Sequence, residues 1–174
     1  MMKESTKKII YPVISLFVIC LVVSSLVVVT NSLTKDKIAQ QQEKETAEIR
    51  SRVLPADSYE DVSDTAAKAV KDGKTAGYVF SESSKGYGGE IKVIIGISAD
   101  GKISGVEVLS HSETAGIGAK CTEKEFLDKF TGKDKILSDG EIKRTGASIT
   151  SKGLSDAVNK ALKEFSSICG GEAE

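Results

Sequence analysis

A single histidine, His111, and three cysteines, none in a CxxC spacing, leave this 174-residue chain short of metal ligands. Zinc sites draw several His, Cys or carboxylate ligands from short, regular spacings, so a bound metal is not expected. GxSxG is missing, no GxGxxG opens a helix after a strand, and no Walker loop occurs. These gaps argue against an enzyme working through its own acid, base or nucleophile. A lone histidine at a strand end is more often a hydrogen-bonded structural residue. Lys and Arg (24) nearly balance Asp and Glu (25), for a net charge of −1, so no nucleic-acid partner is expected. No internal repeat breaks the chain into copies.

Charge is also missing locally, from Ile9 to Val29, where Val, Ile and Leu dominate. Such a run can cross a hydrocarbon core of about 30 Å at about 1.5 Å per helical residue. Pro12 falls in its first turn, where proline is tolerated. Lys3, Lys7 and Lys8 against Glu4 predict a cytoplasmic N-terminus and an extracytoplasmic main domain. The run exceeds the about 7–15 residues of a signal-peptide core, no small-x-small site follows, and Ile19 precedes Cys20 where lipoprotein cleavage wants a small residue. An uncleaved, single-pass anchor in contact with membrane lipid is expected. The division read from the chain is an N-terminus over 1–8, an anchor over 9–30, a juxtamembrane helix or linker over 31–56, a domain over 57–168 and a flexible tail over 169–174.

Within the juxtamembrane segment, Thr34 to Val53 lacks Gly and Pro and predicts a mostly polar helix, with Ile38, Ile49 and Val53 as its apolar contacts and Pro55 ending it. Asp57 to Lys71 permits a short helix through Ala66, Ala67, Ala69 and Val70, stopped by Gly73. Strands are expected over Ala76–Ser81, Glu90–Ala99 and Ile103–Ser110, with a Ser- and Gly-rich loop over Ser81–Gly89 and an Asp100-Gly101 hairpin. A short helix is expected over Glu123–Phe130. From Thr150 onward, Leu154, Val158, Ala161, Leu162 and Phe165 recur at helical period. The fold class is α+β: one transmembrane helix, then a domain whose antiparallel sheet is flanked by helices. Cys121 and Cys169 read as two thiols somewhat more readily than as a disulfide.

Two stretches stand out chemically. Glu113 to Gly118 is a glycine-containing turn after a strand, and Thr145-Gly146-Ala147-Ser148-Ile149-Thr150-Ser151 opens the last helix. Glycines let backbone approach a planar ring. Hydroxyls and the unpaired N–H groups of a helix start can hold a phosphate. On local grounds alone plain N-capping is the commoner explanation of the hydroxyls.

The run GYGGEIKVIIGISADGKISGVEVLSHSETAGIGAK, followed by TGASITS, resembles the FMN-binding domain of membrane electron-transport complexes. It is similar to the G subunit of the Rnf complex and to its relative, the C subunit of the sodium-pumping NADH:quinone reductase, over roughly Gly77 to Phe165. That family attaches FMN through its phosphate to a hydroxyl in an S/T-G-A-T pattern, which by position implies Ser148 as the acceptor, with Thr145 and Thr150 as fallbacks. The family's H-x-E-T-P-G-L-G stands here as HSETAGIG, with Ala115 for Pro and Ile117 for Leu. Ile142 stands where an acidic residue is common. The resemblance implies a cofactor site of Ser148, Thr145, Gly146, Ala147, Thr150, Ser151, Glu113, Thr114, Gly116, Ile117, Gly118 and Lys120. It further implies an electron-relaying flavoprotein subunit of an Rnf-type ferredoxin:NAD ion-translocating complex. Other subunits would be its partners, and a flavin transferase would load the covalent FMN. The alternatives are a flavinless anchored binding or assembly module, or an FMN carrier of another respiratory complex.

Overall fold

The computed structural model describes residues 4–171, so the outermost ends of the expected N-terminus and tail lie outside the described residues. The chain forms two compact units that part between Lys44 and Glu45. Most of helix α1 (Glu4–Val53) makes the first unit. One continuous helix thus runs through both the expected anchor and the juxtamembrane segment. It is long and apolar enough to cross a membrane, and from Tyr11 to Leu33 its side chains are exposed and uncharged. Because α1 starts at Glu4, Pro12 lies inside it and not in its first turn.

The second unit is built on a five-stranded antiparallel meander ordered β1-β2-β3-β4-β5. Its strands are β1 (Ser58–Asp61), β2 (Ala66–Lys71), β3 (Lys74–Lys85), β4 (Glu90–Ser98) and β5 (Ile103–Ser110). The short helix expected over Asp57–Lys71 is therefore overturned. Alanine's helix preference is about 0.7 kcal/mol or less per residue over ordinary residues, and pairing with β3 outweighs it. Ala67 and Ala69 are fully buried opposite Val79 and Gly77, where a small side chain fits between sheet and covering layer. Asp72 and Gly73, at φ 51° and 69°, make the β2–β3 hairpin. β3 also runs to Lys85, so the expected Ser81–Gly89 loop shrinks to a hairpin tip.

The two faces of the sheet have different covers. Tyr78, Phe80, Ile91, Val93, Ile95 and Ile97 face helix α3 (Ser148–Gly171), which contributes Leu154, Ala157, Val158, Ala161 and Leu162. Phe126, Leu127 and Phe130 join that core from helix α2 (Lys124–Leu127) and the 3-10 turn that continues it. The helix expected over Glu123–Phe130 is thus a single α-turn running into a tighter one. α3 extends through the start of the expected tail, as far as Gly171. Buried Cys121 and half-buried Cys169 both pack on this core, with no disulfide joining them.

The last turns of α1 close the opposite face, where Ile49, Val53 and Leu54 bury against Ala69, Val79 and Ile94. Ile38, expected to share that role, is exposed. Gly96 and Gly105 pair across β4 and β5 and leave a notch for the helix end. A Cβ on Gly96 would lie 2.7 Å from the Val53 carbonyl oxygen, which instead accepts a hydrogen bond from Ser104 Oγ at 2.6 Å. Arg52 adds a two-pronged ion pair to Glu107.

Candidate functional site

Three segments meet where α3 begins: the β3–β4 hairpin tip, the loop after β5 and the turn before α3. They enclose a cavity of about 440 Å³ lined by Tyr87, Glu113, Thr114, Ile117, Gly118, Gly146, Ala147, Ser148, Ile149 and Thr150. Small-molecule sites typically span about 300–1,000 Å³.

The two segments singled out in the sequence reach this cavity through the same device. Ile117 N–H donates to the Thr114 carbonyl at 3.3 Å, and Ala147 N–H donates to the Arg144 carbonyl at 3.1 Å. Each turn carries glycine at its third position, Gly116 at φ 79° and Gly146 at φ 85°. Only glycine enters that region without strain. Ala115 stands at the second position of the first turn, where proline would preset the same geometry.

Glu113 ties all three segments together. It is buried, its Oε1 accepts from Gly88 N–H at 3.0 Å, and its Oε2 accepts from Thr150 Oγ1 at 2.6 Å. A Cβ on Gly118 or on Gly86 would collide with this carboxylate. His111 holds the loop from behind: its Nδ1 accepts from Glu113 N–H at 3.2 Å. That bond requires an unprotonated Nδ1 and so places the proton of the neutral ring on Nε2, 3.4 Å from Thr122 Oγ1.

The hydroxyls sort by burial. Thr150, at 1 % exposed, spends its proton on Glu113. Ser151, fully buried, donates to the Ala147 carbonyl at 2.9 Å and accepts from Arg144 N–H. Ser148 is exposed and faces the cavity. Thr145 is exposed but lies outside the lining. The first intrahelical bond of α3 is Ser151 N–H to the Ala147 carbonyl. Among the described residues, the N–H groups of Ser148, Ile149 and Thr150 meet no protein acceptor, as at any uncapped helix start. The first turn of α3 carries no acidic residue.

Of the other residues expected at the site, Thr114, Ile117, Gly118, Gly146 and Ala147 line the cavity, while Gly116 and exposed Lys120 do not. Ile149 and Tyr87 line it although neither was singled out in the sequence. Three of the exposed large apolar side chains, Tyr87, Ile117 and Ile149, thus gather at one mouth, a clustering that marks binding surfaces. Behind the loop, burial pushes the Cys121 thiol up, which makes it a poor nucleophile. Ile142 is buried in the core, and the nearby acids are spent on ion pairs, Asp139 with Lys152 at 2.9 Å and Glu141 with Lys133 at 2.8 Å. Asp139 is held below its ordinary carboxylate range by the Lys152 hydrogen bond.

The FMN-binding domain model matches residues 86–163, which contain every residue of the cavity lining, and the RnfG N-terminal region matches residues 1–53. The G subunit of the ion-translocating oxidoreductase complex of Aliivibrio fischeri is 31% identical, with 86% of each chain aligned. The chain belongs to the G-subunit family of ion-translocating oxidoreductase complexes. Another member, the G subunit of the proton-translocating ferredoxin:NAD(+) oxidoreductase complex of Clostridium ljungdahlii, is 28% identical over 99% of this chain and 100% of its own. The crystal structure of Shewanella oneidensis NqrC aligns with 56% of this chain and 54% of its own at 26% identity, with a TM-score of 0.47. For this G subunit the cofactor is FMN, and the residues present fit it. Uncommitted amide N–H groups offer an anion site, an exposed hydroxyl stands beside them, and aliphatic walls face the cavity.

Proposed function

We propose that this G subunit carries FMN as a phosphoester on Ser148 Oγ and relays electrons within a ferredoxin:NAD oxidoreductase complex that moves ions across the membrane. The observation that carries this reading is the sorting of hydroxyls at the start of α3. Ser148 is exposed to the cavity, whereas Thr150 and Ser151 are buried in bonds to the protein. A phosphodiester keeps one negative charge, and the helix N-terminus stabilises such a charge by about 0.3–1 kcal/mol. A tether also raises the local concentration of the flavin to about the millimolar range, so that it is not lost by dilution.

When bound, FMN supplies reversible electron transfer through its ring system. The chain's own residues do the rest. Ser148 anchors the phosphate, the amides of Ser148 to Thr150 face its charge, and Ile117 and Ile149 exclude water from the ring. Glu113 holds the walls in register. α1 anchors the protein in the bilayer, with the N-terminus cytoplasmic and the flavin domain outside, as its flanking lysines favour. Other subunits of the complex hold the ferredoxin and NAD sites, and a separate flavin transferase loads the cofactor.

Intact mass and in-gel fluorescence of the full chain, co-expressed with a flavin transferase, test this reading. One FMN should be present in the wild type and in Thr145→Ala, and absent in Ser148→Ala. A Ser148→Ala protein that keeps its fluorescent band refutes Ser148 as the acceptor.

A further inference from the structure

The single aromatic side chain in the cavity wall belongs to Tyr87, and its position is unusual. It is 74 % exposed, yet the hairpin that carries it is fixed on every side. Gly86 N–H donates to the Gly89 carbonyl at 2.7 Å and closes the tip. Gly88 N–H donates to buried Glu113. A Cβ on Gly88 would strike the Ser112 carbonyl oxygen, and one on Gly86 would come within 2.6 Å of Ile91 Cδ1. The glycines on either side of Tyr87 therefore let the hairpin backbone lie flat on the loop after β5, and no larger residue fits there. An exposed aromatic ring on a rigid tip, gathered with two exposed aliphatic side chains at one cavity mouth, marks a binding surface. The facing walls, Ile117 and Ile149, are aliphatic and also exposed.

We propose that Tyr87 is a positioning residue whose ring lies on the flat face of the bound flavin, with Glu113 fixing the hairpin that aims it. This rests on the reading above, since the flavin must be tethered at Ser148 to meet that ring. The phenol is the electron-rich partner and the flavin ring the electron-poor one, a pairing that favours offset stacking. It also quenches flavin emission, because the excited ring takes an electron from a phenol in contact with it. The Glu113 carboxylate acts through the hairpin: it holds Gly88 N–H on one oxygen and Thr150 Oγ1 on the other, so the acceptor helix and the covering ring keep one spacing.

Full-length wild type, Tyr87→Leu and Tyr87→Phe, each co-expressed with a flavin transferase, separate the possibilities by intact mass, flavin emission per adduct and quenching by iodide. With the adduct present in all three, emission should rise about two- to tenfold in Tyr87→Leu, because the wild-type flavin emits only while unstacked and one aromatic pair favours the stacked, quenched state by about that factor; iodide quenching should rise with it. Tyr87→Phe should brighten while keeping the iodide protection of the wild type, because a phenyl ring covers the flavin without donating an electron. Equal emission and equal iodide quenching in wild type and Tyr87→Leu, with the adduct intact, overturn the role of Tyr87 and leave the Ser148 linkage standing. An absent adduct in the wild type overturns the linkage itself and this proposal with it.

Discussion

Removing the Thr150 hydroxyl is the most direct perturbation of the clasp that joins the site's three segments. Thr150→Val keeps the shape of the side chain and takes away the proton that Glu113 Oε2 accepts at 2.6 Å. Both partners are buried, at 1 % and 8 % exposed, so water does not replace the bond. Hydrogen bonds to charged groups contribute about 1.5–3 kcal/mol, and a stranded carboxylate oxygen puts the loss in that range. Glu113→Gln should be milder: the amide oxygen still accepts from Gly88 N–H, and its NH2 can donate to Thr150 Oγ1. With a urea slope of about 1–3 kcal/mol per molar, Thr150→Val should lower the unfolding midpoint by about 1 M with the slope unchanged. Near-UV circular dichroism of the full chain in detergent micelles reads this transition through the buried Tyr78 ring and its neighbours. The double variant should be less destabilised than the sum of the two single ones, with a coupling above about 0.5 kcal/mol. A Thr150→Val midpoint matching the wild type refutes the clasp, and with it the reason for assigning the flavin to Ser148 in preference to Thr150.

Two further outcomes test the frame around the site. Gly153→Ala sets two opposing effects against each other. Alanine favours the helix by about 1 kcal/mol, but its Cβ would lie 2.6 Å from the Lys85 carbonyl oxygen, a backbone atom of β3 that cannot swing aside. Overpacking of this kind costs about 1–3 kcal/mol, so the thermal midpoint should fall. A rise would show that α3 can lift off β3 at little cost. Glu82→Gln should act in the other direction and depend on pH. Burial pushes the Glu82 carboxyl above its ordinary 4.5, and Glu164 adds to the rise. The folded state therefore holds this proton more tightly than the unfolded chain, and wild-type stability falls as pH climbs through the raised value. Glu82→Gln removes that loss. Its thermal midpoint should exceed that of the wild type near about pH 7 and converge with it below about 4.5. A difference independent of pH refutes the desolvation argument.

Much of this arrangement was legible in the residues because its signals are local. Asp100-Gly101 turns the β4–β5 hairpin as expected, with Gly101 at φ 83°, and the alternation of Ile91, Val93, Ile95 and Ile97 names the core face of β4. Asp72-Gly73 carried the same hairpin signal between β2 and β3. The run Ala66, Ala67, Ala69, Val70 masked it, because alanine favours helix wherever no neighbour intervenes. What selects a strand there is pairing with β3 across that hairpin and the end of α1 above it, neither of which a residue-by-residue helix preference registers. Tyr87 carries no local signal for a related reason. A tyrosine among glycines reads as loop until the β5 loop, more than twenty residues later, is seen to fix the hairpin beneath it. Burial of Glu113 likewise has no local signature, since its two donors come from Gly88 and Thr150.

That long-range carboxylate also explains how one helix start can serve an anion. An acidic side chain near the first turn usually settles on the free amides, where the dipole welcomes it. Such a cap here would compete with a phosphate for the same N–H groups. Glu113 lies against this helix start, yet its oxygens are committed to Gly88 N–H and Thr150 Oγ1, and α3 carries no acid of its own in that turn. The amides of Ser148, Ile149 and Thr150 therefore stay uncommitted, beside Ser148, the exposed hydroxyl of that turn that faces the cavity. Converting Ile149, which is 55 % exposed, to Glu places a competing carboxylate in that turn without touching the hydroxyl. If the free amides hold the phosphate, Ile149→Glu should lower the fraction of chains carrying FMN by intact mass while Ile149→Gln does not. Equal loading of the two variants would mean that the helix start contributes nothing to holding the phosphate.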